Sequence, residues 1–227
     1  LADGLYQALA PADLTIVVNT GDDFEHLGLT ICPDLDTVCY TLAGLANLAT
    51  GWGRAGESWQ ALEALAAVGG PAWFRLGDKE VGAHRERSRR LADGEMLSAI
   101  TRDFCAAWGI QCAVLPMSDQ PVRTIVESEE GDLAFQDYFV RRRCEPVVRG
   151  FRFQGAEAAQ PAPGVLDAIA AADMVVFCPS NPWVSIAPIL AVPGLRDALT
   201  EKVVVAVSPI VGGAALTGPA AKLYEEL

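Results

Sequence analysis

The sequence predicts an α/β fold: a mainly parallel sheet with helices on both faces, plus a small antiparallel insert. Three observations carry this reading. Short apolar runs at Leu14–Val18, Met174–Phe177 and Val203–Val207 have no polar face, the pattern of parallel strands covered on both sides. Stretches with helical apolar spacing alternate with them. Residues 121–154 instead alternate apolar and polar positions around an acidic turn, as hairpin strands do.

Taken in order, Leu1, Leu5, Ala8 and Leu9 recur at helical spacing and predict a first helix reaching Ala10. The strand Leu14–Val18 ends in Asn19-Thr-Gly-Asp-Asp23. A helix begun by Asp34 or Asp36 places Leu35, Val38, Cys39, Leu42 and Leu45 on one face, with acids where a helix N-terminus favours them. Glu57–Val68 reads as a helix stopped by Gly69-Gly70-Pro71, and Met96–Trp108 as another ended by Gly109. Gln111–Leu115 is a strand stopped by Pro116. Val122–Ser128 and Leu133–Val140 form a hairpin through Glu129-Glu-Gly-Asp132, and Val147–Phe153 adds a third strand. Helices Val165–Ala172 and Leu195–Leu199 flank the last parallel strands. There is no internal repeat. A chain of 227 residues, 51% hydrophobic and 20% charged, suits one domain over residues 1–227 with a large core, the insert at 121–154 lying within it.

Charge and cysteine usage exclude several classes. A net charge of −12 argues against general nucleic-acid binding, which needs clustered cations to neutralise phosphates. Of the 17 basic residues, 13 lie between Arg75 and Arg152, and the first 74 residues hold only Arg54. Arg141-Arg-Arg143 and the run from Arg85 to Arg90 read as solvated faces ahead of an anion site. No uncharged apolar run approaches the ~20 residues of a membrane span, and the start lacks the basic region of a signal peptide. The six cysteines form no C-x-x-C pair, and only His26 and His84 offer imidazole. Reduced, buried thiols in a cytoplasmic protein are expected rather than zinc.

The chemistry gathers at strand ends. Asp22, Asp23, Asp34 and Asp36 collect where the first strand stops and a helix begins, the place where open α/β sheets bind ligands. Carboxylates there suit a hard cation such as Mg²⁺, which neutralises a phosphorylated substrate; turn and N-cap duty is the ordinary alternative. Two later strands run into Cys178-Pro-Ser-Asn-Pro182 and Ser208-Pro-Ile-Val-Gly-Gly213. Three such loops converging on one sheet edge offer Ser180, Asn181, Ser208 and the Gly212-Gly213 backbone to phosphate, ribose or base. Leu115-Pro-Met-Ser-Asp119 and Phe74-Arg-Leu-Gly-Asp78-Lys79 are further loops of this kind. Neither G-x-G-x-x-G nor G-x-x-x-x-G-K-[ST] occurs in them. Phe135, Phe139 and Trp183 offer flat surfaces, although core packing is the commoner fate. His84, beside a basic run, reads as structural more readily than as an acid or base.

These segments occur together in one order: N-T-G-D-D, I-C-P-D-L-D-T, G-W-G, W-F-R-L-G-D, L-P-M-S-D, F-Q-D, P-S-N-P-x-x-S-I-x-P-I and S-P-I-x-G-G-x-x-x-x-G-P-A-A-K-L. Along essentially the whole chain this pattern resembles the 2-phospho-L-lactate transferase family of deazaflavin coenzyme biosynthesis. The resemblance implies a Rossmann-like fold, often a homodimer. It also implies Mg²⁺-dependent transfer of a phospholactyl or phosphoenolpyruvyl group from a guanosine diphosphate conjugate to the deazaflavin Fo, with GMP leaving. Carried over residue by residue, Asp22 and Asp36 match metal-linked, catalytic aspartates. Asp36, Asp78, Lys79, Met117 and Ser118 match acceptor-side motifs, and Asn19, Thr20, Ser180, Asn181, Ser208 and Gly212 match nucleotide-facing loops. Two departures stand out. The family's G-D-R-D reads Gly77-Asp78-Lys79-Glu80 here, and the family's Gly-rich N-terminal strand and loop and its C-terminal region have no counterpart in this sequence. The other family of similar pattern is that of the gluconeogenesis-factor-like proteins, which implies nucleotide-sugar binding without transfer. Which three-carbon acid is carried stays open.

Overall fold

The computed structural model describes residues 1–215 and 218–227. Helix α1 (Ala2–Ala8) precedes β1 (Thr15–Val18), whose β-branched run favours an extended backbone. A short hairpin follows, β2 (Phe24–His26) and β3 (Leu29–Ile31), antiparallel and turned by Leu27 and Gly28 at positive φ. Three residues per strand are too few to show an alternating pattern in the sequence. Helix α2 (Pro33–Leu42) opens on Pro33, where a missing N–H costs nothing, with Asp34 and Asp36 in its first turn.

Helix α3 (Gln60–Ala67) begins three residues after Glu57 because Glu57 caps its neighbour. The Glu57 carboxylate accepts the backbone N–H groups of Lys79 and Glu80, the first turn of α4 (Asp78–Ala92). In return Asp78 accepts the N–H groups of Gln60 and Ala61, at 3.0 Å each, and the Ser58 hydroxyl. Each helix therefore satisfies the orphan donors of the other. The 15-residue α4 escapes the apolar-periodicity reading because its buried residues are Glu80, His84 and Arg87. Its neighbour α5 (Leu97–Ala107) follows the usual rule and buries Leu97, Ile100 and Cys105.

β4 (Ala113–Pro116) pairs in parallel with β1, from Thr15 opposite Ala113 to Val18 opposite Pro116. The core around this pair gathers Val18, Leu35, Cys39, Leu97, Cys105 and Val114. The insert is a three-stranded antiparallel sheet, β5 (Arg123–Ser128) between β6 (Gly131–Ala134) and β7 (Val148–Gln154). The expected second strand stops at Ala134 rather than Val140. Phe135 and Phe139 are four residues apart and stack at 5.3 Å, a helical neighbour relation, while Tyr138 is fully buried, and residues Asp137–Arg141 form a wide helical turn.

Helix α6 (Val165–Ala171) leads to β8 (Met174–Phe177), then α7 (Ala187–Ala191) and α8 (Leu195–Ala198), and β9 (Val203–Ala206), which pairs in parallel with β8. A small hairpin, β10 (Ile210–Val211) with β11 (Ala214–Ala215), and helix α9 (Ala220–Glu226) complete the order. The α/β class and the parallel strands are as expected. The single sheet is not: among the described residues β1–β4 and β8–β9 are separate parallel pairs. Val203 is 61% exposed and Met174 50%, so the second pair lacks the cover its two-faced apolar sequence predicts. All six cysteines are free and four are buried. No helix among the described residues is long and apolar enough to cross a membrane.

Candidate functional site

The C-terminal end of β1 turns sharply at Gly21. A Cβ there would lie 2.8 Å from the Thr124 hydroxyl and 2.9 Å from Pro188, so only glycine lets the loop press against β5 and α7. The Thr124 N–H donates to the Gly21 carbonyl at 2.8 Å and fixes the loop to the insert. Asn19 holds it from within. Its side-chain oxygen accepts the Gly21 N–H, and its amide donates to Asp34 at 2.9 Å and to the Val184 carbonyl at 3.2 Å. One asparagine thus ties the β1 loop, the start of α2 and the loop after β8 together. Asn181 caps that last loop through its oxygen, accepting from Trp183 and Val184, and its own amide nitrogen is buried without a partner.

Polar groups accumulate here beyond what the protein satisfies. Asn19, Thr20, Asp22 and Asp23 are all buried. The Thr20 and Thr124 hydroxyls and one oxygen each of Asp22 and Asp23 are buried without a hydrogen-bond partner. Such orphans are rare in ordinary cores and mark places built for something else. Burial pushes the Asp22 carboxyl well above its ordinary value, with Asp34 adding to the shift while Asn19 opposes it. Burial likewise raises Asp34, and it raises Asp23 to about 8 against the opposing Cys32 hydrogen bond and the charges of Arg123 and Arg87. Carboxyls in this state gain most from an arriving cation.

Asp36 sits differently. Its carboxylate is gripped by both terminal nitrogens of Arg87, one at 3.0 Å, and His84 Nδ1 lies 3.5 Å away. Asp34, rather than Asp36, shares Asn19 with Asp22. His84 Nδ1 also faces Arg87 at 3.3 Å and so accepts rather than donates; burial lowers His84 to about 4, keeping it neutral. Beyond α4's first turn lies a cavity of about 100 Å³ lined by Trp52, Arg54, Trp59, Arg75 and Glu80 among others. The Arg75 guanidinium stacks 4.2 Å over Trp59, and Arg54 covers Tyr40 at 5.4 Å. This wall of rings and guanidinium planes suits a flat aromatic ligand.

The family model for 2-phospho-L-lactate transferase, CofD, matches residues 1–227. A phosphoenolpyruvate transferase of Streptomyces griseus is 49% identical over 227 residues, covering 97% of this chain and 71% of that protein. The chain belongs to the CofD family. Another phosphoenolpyruvate transferase, of Thermobifida fusca, is 49% identical over 94% of the chain and 68% of its own length. A 2-phospho-L-lactate transferase of Methanosarcina mazei is 40% identical over 98% of the chain and 74% of its own length. A crystal structure of a UPF0052-family protein from Bacillus halodurans superposes with a TM-score of 0.59 at 18% identity. It covers 89% of this chain, which spans 61% of that one, and the likeness is one of fold.

Within this CofD chain the motif residues separate into groups. Asn19, Thr20 and Asp22 lie together among the buried acids, and Asn19 reaches, through the Val184 carbonyl, the β8 loop that Asn181 caps. Ser180 lies half-buried in the same β8 loop as Asn181. The third loop does not join them through any described hydrogen bond. Ser208 is exposed and closes its own turn by accepting the Ile210 N–H at 3.1 Å, and Gly212 is exposed in the β10–β11 turn. Residues 216 and 217, inside the last motif, lie outside the described residues. Asp78 is taken up capping α3, and Lys79 donates to the Ala55 carbonyl at 3.3 Å, near the aromatic cavity. Met117 is fully buried among Val122, Val165 and Leu195, and the buried Ser118 turns inward to Gln120. Sequence reasoning missed Arg87 and Thr124. The signal for Arg87 was its spacing from His84 and Glu80 on one helical face, hidden within what read as a solvated run. That reading does hold for Arg89 and Arg90, which pair at the surface with Glu86, Asp93, Glu95 and Asp103.

Proposed function

We propose that this chain transfers a phosphoenolpyruvyl group from a guanosine diphosphate conjugate to the terminal ribityl hydroxyl of the deazaflavin Fo, with GMP as leaving group. The observation that carries the reading is the set of buried, partnerless oxygens on Asp22 and Asp23 in the loop that Asn19 ties to Asp34 and to the Val184 carbonyl. Relatives named for phosphoenolpyruvate are 49% identical and the one named for 2-phospho-L-lactate 40%, which favours the phosphoenolpyruvyl group.

The donor set fits Mg²⁺: hard oxygens, two of them orphaned and buried. Among the described residues no three His, Cys, Asp or Glu side chains are grouped to hold a metal ion, so the protein alone would supply at most two such side chains. The remaining places of a Mg²⁺ ion would have to be filled by phosphate and water. Asp22 would hold it, with Asp34 across Asn19 in support and Asp36 tied back by Arg87. Held there, Mg²⁺ would supply positive charge to offset that of the diphosphate; the acceptor hydroxyl forms the bond to phosphorus and GMP leaves as its own bond to that phosphorus breaks. The unpartnered Asn181 amide and the Thr20 hydroxyl face the nucleotide side. On the acceptor side, Trp59, Arg75 and Lys79 receive the deazaflavin ring, and Asp36 orients the attacking hydroxyl. A homodimer and a cytoplasmic location accompany this reading.

Mass spectrometry of the products from Fo with competing phosphoenolpyruvyl and phospholactyl guanosine donors, with and without chelator, tests it. A dehydro product that disappears in excess chelator is expected. Full turnover in chelator overturns the metal role, and no transfer from either donor overturns the reaction.

A further inference from the structure

Helix α4 buries charge where a helix normally buries apolar side chains. Glu80, His84 and Arg87, at i, i+4 and i+7, are its only buried residues among those described, at 6%, 3% and 3% exposure. Taking ions out of water costs several kcal/mol each, and well-packed apolar residues often replace a buried ion pair with no loss of stability. A stripe of this composition therefore points to a task other than holding α4 in place. Arg87 is its anchor. Both terminal nitrogens reach Asp36, and one also faces the Thr30 carbonyl at 3.4 Å and His84 Nδ1 at 3.3 Å. The Phe104 ring lies 5.7 Å from the guanidinium carbon and walls it from α5. A guanidinium held from so many sides is a fixed planar fork, and a carboxylate bound to both its tines has one orientation.

We propose that Arg87 is a positioning residue for the transfer reaction, fixing the Asp36 carboxylate in the first turn of α2 so that it meets the acceptor in one geometry. This rests on the function proposed above. Arg87 itself is enclosed, so it acts through Asp36 and not on substrate. The lysine that replaces it keeps the charge but loses the fork. A reactive geometry that loosens by about an ångström costs on the order of 10²-fold in rate.

The test uses Arg87→Lys and Arg87→Met in the protein as it is encoded. Expected for the folded enzyme is a fall in kcat of about 10-fold for Arg87→Lys and 10²-fold for Arg87→Met, with the donor KM nearly unchanged. Guanidinium ion added to Arg87→Ala is expected to restore part of kcat. A merely structural arginine would instead lower Tm and leave kcat per folded molecule intact, and that result overturns the proposal. A crystal structure of Arg87→Met reads positioning without reference to activity. An Asp36 carboxylate left in its wild-type orientation overturns the proposal, and one that has swung away supports it. If wild type makes no product while Asp36 swings in the variant, the transfer reading fails and the positioning stands. If Arg87→Met does not fold, Arg87→Lys decides through kcat.

Discussion

The two parallel strand pairs treat burial in opposite ways. At the end of β1–β4 the chain buries Asn19, Thr20, Asp22 and Asp23, residues that belong in water. Along β8–β9 it exposes Met174, Val203, Val204 and Val205, residues that belong inside. Both pairs have the same pairing geometry and nearly the same apolar strand composition. The difference lies in what surrounds them. α2 and α5 pack over β1–β4, and α2 adds Asp34 to the Asn19 network of the β1 loop, whereas β8–β9 leaves Met174 and Val203 exposed. Strand sequence alone sets the pairing; the neighbouring elements decide whether charge or valine meets solvent.

The strongest test of this contrast is Asp22→Asn. If the acids at the β1 end are there to hold a cation against phosphate, kcat/KM should fall by about 10²-fold or more, comparable with losing a transition-state donor. Stability should hold or rise, since an amide carries no charge into a site whose burial already pushes the carboxyl toward its neutral form. Steady-state turnover with thermal melts reads both. Near-full activity would mean that the buried acids are turn residues after all.

Much of this was legible in the sequence, and the gaps have physical causes. The β-branched runs of β1, β8 and β9 announced parallel strands because they are apolar on both faces. The Asn19–Asp23 loop announced a site because its residues are wasted on a mere turn. Helix α4 was silent because apolar periodicity looks for leucines and its inner face is Glu80, His84 and Arg87. The mistaken extension of β6 to Val140 came from alternation in Phe135–Val140 that serves a helical turn packed on Tyr138. That Asp34 meets Asn19 while Asp36 meets Arg87 was not readable at all. It depends on which face of α2 meets Asn19 and which meets Arg87, a matter of tertiary packing.

A second test acts on the charged stripe of α4. His84 is about 4 in the folded protein and near 6.5 when unfolded, so the unfolded chain takes up a proton first as pH falls. Its contribution to stability is therefore whole above pH ~6.5 and lost as pH drops toward ~4, on the order of 3 kcal/mol. His84→Gln should flatten that slope in urea titrations run across this window. An unchanged slope would mean that other groups carry the acid sensitivity.

Lys79→Arg has a smaller expected effect and shows how far the charged end reaches. Lys79 donates to Ala55 near the Trp59–Arg75 cavity, and a guanidinium there adds a planar fork and a stacking face. The KM for Fo should fall by several-fold, worth about 1 kcal/mol, with the donor KM unmoved. An Fo KM that stays put would separate Lys79 from the acceptor.

The smallest effect should come from the open pair, and it tests the comparison directly. Val→Thr exchanges a methyl for a hydroxyl at equal size, so it costs little where water reaches and more where nothing accepts the hydroxyl. Val114 in β4 is 3% exposed and packs among Leu97, Cys105 and Val18. Val114→Thr should cost about 1–3 kcal/mol. Val203 in β9 is 61% exposed, and threonine keeps its β-branched fit to a strand. Val203→Thr should stay within about 0.5 kcal/mol, the usual range for surface substitutions. Equal costs at the two sites, read from chemical denaturation of both variants, would mean that β9 is covered in solution. The contrast between the two strand pairs would then disappear.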